Sequence, residues 1–326
     1  MKSIVTGGAG FIGSHLVDKL LKLKHKVFVL DNFSTGRIDN IKYFKNKIKL
    51  VKCDISKSGK WEKYFKGAHY VFHLAALADI VPSIQKPKLY FNSNVTGTIN
   101  VLNASVKNKV KKFLYAASSS CYGIPKKYPT SETSNIDPRY PYALTKRLGE
   151  ELVLNWSQIY NLDAISLRMF NVYGTRSRTS GTYGAVFGVF LAQKIHKKPF
   201  TVVGNGNQTR DFTYVTDVVD AFIKAAKSKK SGEIYNVGSG KHISVNYLIN
   251  LLKGYGRVHI PKRPGEPECT FANIKKIKKD LKWQPNITIE KGVKFILKEI
   301  NYWKKAPIWT PKKIKNETKN WFKYIK

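Results

Sequence analysis

The chain has 326 residues, 42% of them hydrophobic and 13% aromatic, which is typical of a globular protein with one or two domains and a large core. Its apolar stretches are short and interrupted by charge or glycine, which excludes a membrane-spanning helix. Lysine and arginine number 58 against 21 aspartate and glutamate, a formal net charge of +37, yet only nine of the 58 are arginine. The lysines are spread along the whole chain, which favours solvated lysine-rich faces over a nucleic-acid site.

Strands alternate with helices through the first half of the chain. The predicted strands are "KSIVT", "HKVFVL" ending at Asp31, "KIKLVKCD" ending at Asp54, "AHYVFHLA" and "KKFLYAAS". Amphipathic helices are predicted at "FIGSHLVDKLLK", around residues 88–107 and within "YPYALTKRLGEELVLNWSQIY". Near-continuous apolar strands in repeated β-α units predict a doubly wound α/β fold, with a parallel Rossmann sheet covered by helices on both faces.

The composition and the predicted elements of the chain change beyond about residue 170. Glycine-rich loops such as "GTRSRTSGTYGA" at 174–185, more prolines and shorter helices predict a smaller α/β C-terminal domain. Within it, "RDFTYVTDVVDAFIKAAKS" again predicts a strand and a helix of the first domain. The expected division is 1–170 plus a returning segment near 211–236 for the first domain, and 171–210 plus 237–326 for the second.

The end of the chain, "APIWTPKKIKNETKNWFKYIK", is basic and amphipathic. It predicts one helix with Trp321, Phe322 and Ile325 on its apolar side. We expect that side to pack against the second domain, and a helix lying on a membrane surface is the alternative.

The glycine motif "GGAGFIG" at residues 7–13 lies between a predicted strand and a predicted helix, which is where a dinucleotide binds. Gly7 allows the tight turn, Gly10 lets a pyrophosphate approach the backbone, and Gly13 lets helix and strand pack closely. The start of the helix offers free N–H groups to an anion. Asp31, eighteen residues after Gly13, can bind both ribose hydroxyls and would repel a 2′-phosphate, so we predict NAD as the cofactor.

A tyrosine and a lysine lie four residues apart in "YALTK", so Tyr142 and Lys146 share one face of a predicted helix. A tyrosine with an ordinary pKa near 10 is a poor base at neutral pH. A nearby ammonium and a positive nicotinamide would both lower the Tyr142 pKa into a working range. The pair follows the serine-rich strand end "AASSSCYG" in a chain with a dinucleotide motif, which favours a catalytic pair over a surface pair.

These motifs resemble those of the extended short-chain dehydrogenase/reductases, and within them the nucleotide-sugar 4-epimerases. The resemblance covers nearly the whole chain and is carried by "GGAGFIG", "DNFSTG", "CDI", "HLAA", "NVTGT", "SSS" followed by "YG", "YALTK", "FNVYG", "RDFTYVTD", "NVGSG" and "RPGEP". It implies a UDP-hexose substrate and a reaction that inverts C4 through transient oxidation, rotation of the 4-keto sugar and return of the hydride. It also implies a homodimer and a role in supplying polysaccharide precursors.

The resemblance implies two sets of site residues. The cofactor set is Gly7, Gly10, Phe11, Ile12, Gly13, Asp31, Asn32, Asp54, Ile55, Ala75, Ala76, Asn94, Tyr142 and Lys146. The substrate set is Ser118, Ser120, Tyr142, Asn171, Arg210, Arg263, Glu266 and Thr270. Among the latter, the two arginines would clamp the pyrophosphate and Glu266 would bind the nucleoside ribose.

The family also implies catalytic roles for Ser118, Tyr142 and Lys146. Tyr142 as phenolate would take the proton of the sugar 4-hydroxyl, Ser118 would hydrogen-bond the same oxygen, and Lys146 would hold the nicotinamide ribose. Asn94 would support this geometry.

The serine triplet separates reactions within this family. Nucleotide-sugar dehydratases carry Asp-Glu where Ser119 and Ser120 stand here, and the decarboxylases carry Glu in place of Ser120. A hydroxyl cannot replace those carboxylates at neutral pH, so dehydration and decarboxylation are excluded. A reductase, a dehydrogenase, or an epimerase at another carbon or on another nucleotide remains open. Cys121 is expected to be a small buried core residue, with a catalytic thiol as the alternative.

Substrate choice depends on Thr270, which stands where relatives restricted to UDP-glucose resemble one another in having tyrosine. A smaller residue leaves room for a 2-N-acetyl group, so we predict that UDP-GlcNAc and UDP-GalNAc are used at least as readily as UDP-Glc and UDP-Gal. A different class of function stays open: a non-catalytic NAD-bound protein with a basic, polymer-binding surface. The intact catalytic residues argue against it.

Three widely spaced cysteines and seven scattered histidines form neither a disulfide framework nor a ligand-like spacing, so we expect no metal. The N-terminal sequence lacks the extended apolar region of a signal peptide. Together these features predict a reducing, cytoplasmic setting.

Overall fold

The computed structural model of the protein describes residues 1–177 and 185–325. Strands and helices alternate through the first half in the order β1 (Lys2–Thr6), α1 (Phe11–Lys22), β2 (Lys26–Asp31), β3 (Ile48–Lys52), β4 (Tyr70–His73), α2 (Ile80–Gln85), α3 (Pro87–Phe91), α4 (Gly97–Lys107), β5 (Lys112–Ser118), α5 (Pro141–Ile159) and β6 (Ala164–Met169). A π turn at Asn92–Thr96 joins α3 to α4, so a helix with one irregular turn stands where a long helix was predicted.

The second half contains shorter elements. They follow in the order β7 (Val172–Tyr173), α6 (Val186–Ile195), β8 (Phe200–Val203), β9 (Thr209–Arg210), β10 (Thr213–Tyr214), α7 (Val215–Lys227), β11 (Glu233–Val237), β12 (Ile243–Ser244), α8 (Val245–Leu252), β13 (Arg257–Ile260), α9 (Lys275–Leu281), α10 (Ile289–Lys298), α11 (Pro311–Glu317) and α12 (Lys319–Tyr324). Short 3-10 helices lie at Ile38–Asn40, Lys42–Lys47, Lys60–Phe65, Ser119–Tyr122 and Ile300–Trp303. The glycine-rich loop predicted at 174–185 lies mostly outside the described residues.

A seven-stranded sheet forms the centre of the first half. Its order is β11-β6-β5-β4-β1-β2-β3, and every neighbouring pair is parallel. Apolar side chains cover both faces, with α1 and α7 on one side and α4 and α5 on the other. The predicted doubly wound α/β fold is confirmed. The direction of winding reverses between β1 and β4, and the crevice at the carboxyl ends of those strands is where such sheets bind ligands.

The second half has its own core and three two-stranded sheets, β10-β7, β12-β9 and β13-β8. The chain returns to the first half twice. First, α7 packs on α1 while β11 joins the edge of the large sheet. Later, α9 and the buried Trp283 join the first core, although the sequence assigned all of 237–326 to the second domain. The domain boundaries themselves stay a prediction.

The end of the chain differs from its prediction as one helix. The chain forms two short helices, α11 and α12, that meet at Thr318. This change of direction buries Trp321, which is 3% exposed, but leaves Phe322 46% exposed. Ile314 of α11 packs in the second core, whereas α12 contacts α2 of the first half. The tail therefore bridges the two halves. Across the described ranges, no helix is both long and apolar enough to cross a membrane.

Candidate active site

A cleft of about 660 Å³ lies between the two halves of the chain. Its lining includes the glycine loop, the carboxyl ends of the central strands, the start of α5, and residues of the second half. Every site residue that the sequence predicted lines this cleft, with the exception of Asn94.

The glycine loop connects β1 to α1 with no side chain between backbone and cleft. Gly7 has φ +71°, in the left-handed region that favours glycine, and a Cβ there would lie 2.7 Å from the backbone nitrogen of Ala75. A Cβ on Gly13 would collide with the carbonyl oxygen of Gly7. No side chain caps the start of α1, and its first turn carries no acidic residue. The N–H groups at this end fit a diphosphate.

Asp31 ends β2 beside this loop, with its carboxylate held by backbone donors. Its two oxygens accept hydrogen bonds from the N–H of Ala9, at 2.9 Å, and of Phe33, at 2.8 Å. Burial raises the pKa of this carboxyl, and the two hydrogen bonds counteract the rise. Each carboxylate oxygen has a further lone pair for a ribose hydroxyl. The loop and Asp31 together fit NAD.

Asn94 is buried behind the cleft wall and does not line it. Its amide accepts from the N–H of Leu77 at 2.8 Å, donates to the carbonyl of Leu77 at 2.9 Å, and donates to the Thr145 hydroxyl at 3.0 Å. It therefore ties the segment that follows β4 to the first turns of α5. This position fits the expected role of Asn94 in supporting the active-site geometry, and its contact with a cofactor stays a prediction.

Ser118, Tyr142 and Lys146 meet where β5 ends and α5 begins. The Ser118 and Ser120 hydroxyl oxygens lie 2.6 Å apart, and both hydroxyls act to lower the pKa of the Tyr142 phenol. Lys146 follows one helical turn later and is buried, with its ammonium 4.2 Å from the centre of the Tyr115 ring. The side chains that a proton transfer requires are therefore assembled before any ligand binds.

The electrostatics of this group differ from the expectation for Tyr142. Burial raises the Tyr142 pKa, the hydrogen bonds of Ser118 and Ser120 lower it, and the charge of Asp79 raises it further, with a net rise. Burial also lowers the pKa of Lys146 to about 7, against the opposing effect of Glu150. The predicted lowering of the Tyr142 pKa is therefore wrong for the protein groups alone.

A buried ion pair contacts the 3-10 helix that carries Ser119 and Ser120, and no pattern in the sequence indicated it. Glu150 and Arg168 are each 1% exposed, with nitrogen and oxygen 2.7 Å apart. Arg168 also donates to the Tyr122 hydroxyl at 2.8 Å, which donates to Asn236 at 2.7 Å. Cys121 beside them is buried in the core, which confirms its expected position, and burial raises the pKa of its thiol to about 12.

Arg210 and Arg263 converge on one carboxylate in the second half of the cleft. Glu266 pairs with Arg210 at 3.1 Å and with Arg263 at 2.7 Å. Burial alone would raise the pKa of Glu266, but the two guanidinium groups outweigh it, and the pKa lies below its ordinary value. The carboxylate thus holds two like charges close together, in a position where a diphosphate could bind both.

Thr270 lies on the same side of the cleft and is held by its hydroxyl. Asn171 donates to the Thr270 oxygen at 2.7 Å, and the N–H of Asp211 donates to it at 3.1 Å. Asn171 and Thr270, both predicted to bind the substrate, are therefore joined by a hydrogen bond although they lie far apart in the sequence.

Tyr140 and Trp321 are among the aromatic residues of the cleft that the sequence prediction missed. The Tyr140 ring lies parallel to that of Tyr142, with centroids 6.4 Å apart and planes within 6°. Trp321 packs against Tyr140 with centroids 6.1 Å apart. Tyr140 lies two residues before Tyr142, so its proximity was available from the sequence. The position of Trp321 depends on the fold.

Among residues 1–177 and 185–325, no three His, Cys, Asp or Glu side chains form a group that could hold a metal ion. The fold, the glycine loop with Asp31, and the Ser-Tyr-Lys group define the class: an NAD-dependent enzyme that acts at a carbon bearing a hydroxyl.

Comparison with known proteins identifies the family. Residues 3–238 match the model of the NAD dependent epimerase/dehydratase family. The chain is 38% identical, over 90% of its own length and 96% of the relative's, to a putative UDP-glucose 4-epimerase of Methanocaldococcus jannaschii. The chain therefore belongs to the NAD dependent epimerase/dehydratase family.

Solved structures agree with this membership. A UDP-glucose 4-epimerase of Thermotoga maritima with UDP-glucose superposes with a TM-score of 0.87 at 33% identity, covering 94% of this chain and 99% of that one. A UDP-N-acetylglucosamine 4-epimerase of Methanobrevibacter ruminantium in complex with UDP-N-acetylmuramic acid superposes with a TM-score of 0.85 at 32% identity. The match covers 91% of this chain and 98% of that one. These similarities confirm the resemblance and the predicted class, an NAD-dependent nucleotide-sugar epimerase.

Proposed function

We propose that this enzyme interconverts the C4 epimers of UDP-hexoses, and that it uses the N-acetylated pair at least as readily as the glucose and galactose pair. The observation that carries the proposal is one cleft holding both the Ser118-Tyr142-Lys146 group and the Arg210-Arg263 pair. Residues 119 and 120 are serines, so the cleft lacks the carboxylates that dehydration or decarboxylation would require at those positions.

Each group has a task in this reaction. NAD supplies, when bound, a reversible acceptor for the hydride of C4. Tyr142 removes the proton of the 4-hydroxyl and later returns it, while Ser118 hydrogen-bonds the same oxygen. Lys146 would hold the nicotinamide ribose, and its ammonium would favour the phenolate form of Tyr142 together with the positive nicotinamide. Arg210 and Arg263 hold the diphosphate throughout, so that the sugar can turn while its anchor stays fixed.

The direct test is to incubate the protein with NAD and each UDP-hexose and to resolve the products by anion-exchange chromatography and NMR. We expect each sugar to approach equilibrium with its C4 epimer. A 4-keto-6-deoxy product, a reduced sugar, an epimer at another carbon, or no turnover of any UDP-hexose would contradict the proposal. Salt-sensitive binding of RNA or DNA without turnover would favour the basic binding protein instead.

The choice of sugar is tested by Thr270→Tyr. The larger ring occupies the space proposed for the 2-N-acetyl group, so we expect kcat/KM for UDP-GlcNAc to fall at least about tenfold relative to UDP-Glc. Thr270→Ser is the matched control, because it keeps the hydroxyl that accepts from Asn171. Equal losses for both sugars in the tyrosine variant would contradict a role for this position in substrate choice.

We also propose a homodimer formed through α3 and α5. Exposed apolar side chains at Phe91 and Leu144 border one shallow groove on these helices, and Leu89 of α3 is also exposed, which supports a self-complementary contact. Sedimentation should give twice the chain mass, and Leu144→Glu should give the monomer. A monomeric wild-type protein at micromolar concentration would contradict this.

A cytoplasmic location is part of the proposal. It is supported by Cys53, Cys121 and Cys269, which are all free thiols, as is usual in reducing compartments. Fractionation of the native cell tests it, and recovery of the protein outside the cytoplasm would contradict it.

A further inference from the structure

The last helix brings a side chain into the cleft from far outside the segment matched by the family model, which ends at residue 238. Trp321 lines the same cleft as Ser118 and Tyr142 and is 3% exposed. A tryptophan this deeply buried is a large apolar contact with one polar atom that needs a partner. That partner is the carbonyl oxygen of Pro264, 2.7 Å from the indole nitrogen.

One face of the indole meets the diphosphate clamp. The guanidinium of Arg263 lies 5.1 Å from the centre of the Trp321 ring, within the range of a cation–π contact. The indole N–H also donates to the carbonyl of Pro264, which directly follows Arg263 in the chain. Trp321 therefore fixes both the backbone beside Arg263 and the guanidinium itself. The tail thus limits where Arg263 can point.

The indole also meets the catalytic group. Tyr140 packs against Trp321 and stacks in parallel on Tyr142, with centroid distances of 6.1 Å and 6.4 Å. Tyr140 immediately precedes α5, the helix that carries Tyr142 and Lys146. A continuous row of side chains, Arg263, Trp321, Tyr140 and Tyr142, therefore joins the clamp to the base.

The tail that carries Trp321 is anchored at several points. Ile314 is buried in the second core, Gln85 of α2 donates to the carbonyl of Glu317 at 3.4 Å, and Ile325 packs where a side chain on Gly265 would lie. These contacts come from both halves of the molecule. They hold α12 in one position across the cleft.

We propose that Trp321 is a positioning residue of the epimerase site: it aims Arg263 at the substrate diphosphate and, through Tyr140, holds Tyr142 at the sugar. The inference rests on the proposed function for the second of these roles. The first concerns UDP binding alone and is independent of turnover.

The test compares Trp321→Ala with Trp321→Phe in the full-length enzyme. For Trp321→Ala we expect the dissociation constant of UDP, measured by calorimetry, and the KM of the UDP-hexose to rise about tenfold, because the cation–π contact and its packing are lost. We expect kcat to fall severalfold as well, since Tyr142 loses its support. Phenylalanine keeps a ring for Arg263 and Tyr140, so Trp321→Phe should recover most of the UDP affinity.

Two controls separate positioning from stability. Leu252→Ala removes a fully buried side chain from the second core, outside the tail and the cleft lining, and should lower the melting temperature while leaving UDP affinity and KM within twofold. Phe322→Ala changes the exposed residue next to Trp321 and should leave the melting temperature, the UDP affinity and KM unchanged.

The inference is overturned if Trp321→Ala lowers only the melting temperature, with UDP affinity and kcat unchanged, or if Leu252→Ala weakens UDP binding as much. A wild-type protein that binds UDP but epimerises no UDP-hexose would refute the proposed function. The UDP affinities of the Trp321 variants would still decide the role of Trp321 at the clamp.

Discussion

The two sides of the cleft are built in different ways. On the cofactor side, the glycine loop and Asp31 lie within one β-α-β unit, and a backbone N–H of the loop holds the Asp31 carboxylate. On the substrate side, Arg210 and Arg263 come from separate segments and are held by side-chain ion pairs with Glu266. The cofactor side is a local structure that forms as soon as this one β-α-β unit folds. The substrate side exists only when distant segments have packed together.

This difference has consequences for binding. A side-chain substitution cannot remove the backbone N–H groups of a turn. Cofactor binding should therefore be weakened mainly by substitutions that add a side chain to a glycine of the loop. The substrate side is sensitive to the loss of single charges. The catalytic group lies where the two sides meet, because Ser118 ends a central strand while Tyr142 faces the cleft from α5.

The largest effect is expected at that meeting point. Tyr142→Phe removes the proton acceptor but keeps the ring that stacks on Tyr140, so turnover should fall by about 10³-fold or more. The affinities for NAD and UDP should stay within about threefold, because the Tyr142 ring stays in place and the glycine loop, Asp31 and the two arginines are unchanged. Product assays and calorimetry measure the two quantities separately. Activity retained within tenfold would mean that another group is the base.

The next largest effect tests how much the meeting point of the two sides depends on a buried ion pair between separate elements. Glu150→Gln leaves the buried Arg168 charge without its partner, and we expect the free energy of unfolding to fall by about 3 kcal/mol. Glu268→Gln is the control, since its pairing with Lys262 is on the surface and should contribute less than about 1 kcal/mol. Urea unfolding measures both. Equal losses would show that burial of the Glu150 pair has no special effect on stability.

Gly13→Ala tests the local character of the cofactor side. The added methyl group would occupy the position of the Gly7 carbonyl oxygen, so the loop must open and NAD affinity should fall about 100-fold. Gly59→Ala is a suitable control, because the nearest atom to its Cβ is a Trp61 side-chain atom at an ordinary 3.5 Å. UDP affinity should be unchanged in both variants. A parallel loss of UDP affinity in Gly13→Ala would contradict the separation of the two sides.

The smallest of these effects is expected for Arg210→Ala. Loss of one charge-assisted contact should weaken UDP binding by about 10- to 100-fold and leave NAD binding unchanged. Arg257→Ala removes an exposed arginine whose partners are Asn246 and Asn250, and it should change UDP affinity less than twofold. If the two variants behave alike, the general positive charge of the protein, and not a defined clamp, attracts UDP.

Much of the fold followed from patterns of short range. Apolar strand runs and helical periodicity extend over a few residues, so the parallel sheet, the glycine loop and the pairing of Tyr142 with Lys146 could be predicted without knowledge of tertiary contacts. The position of Asp31 at a strand end is of the same kind. Family resemblance added residues such as Arg263 and Thr270, which periodicity alone would not single out.

The sequence by itself thus determined the class of fold, the cofactor and the chemistry, because each depends on residues close together in the chain. Tertiary structure alone decided that Glu266 holds both arginines, that the pair of Glu150 and Arg168 contacts the 3-10 helix after β5, and that Trp321 reaches the clamp. These contacts join segments up to 181 residues apart, as between Tyr140 and Trp321. Contacts between residues so far apart produce no periodic pattern in the sequence. They form only when the rest of the fold offsets the entropy lost in closing the loops between them.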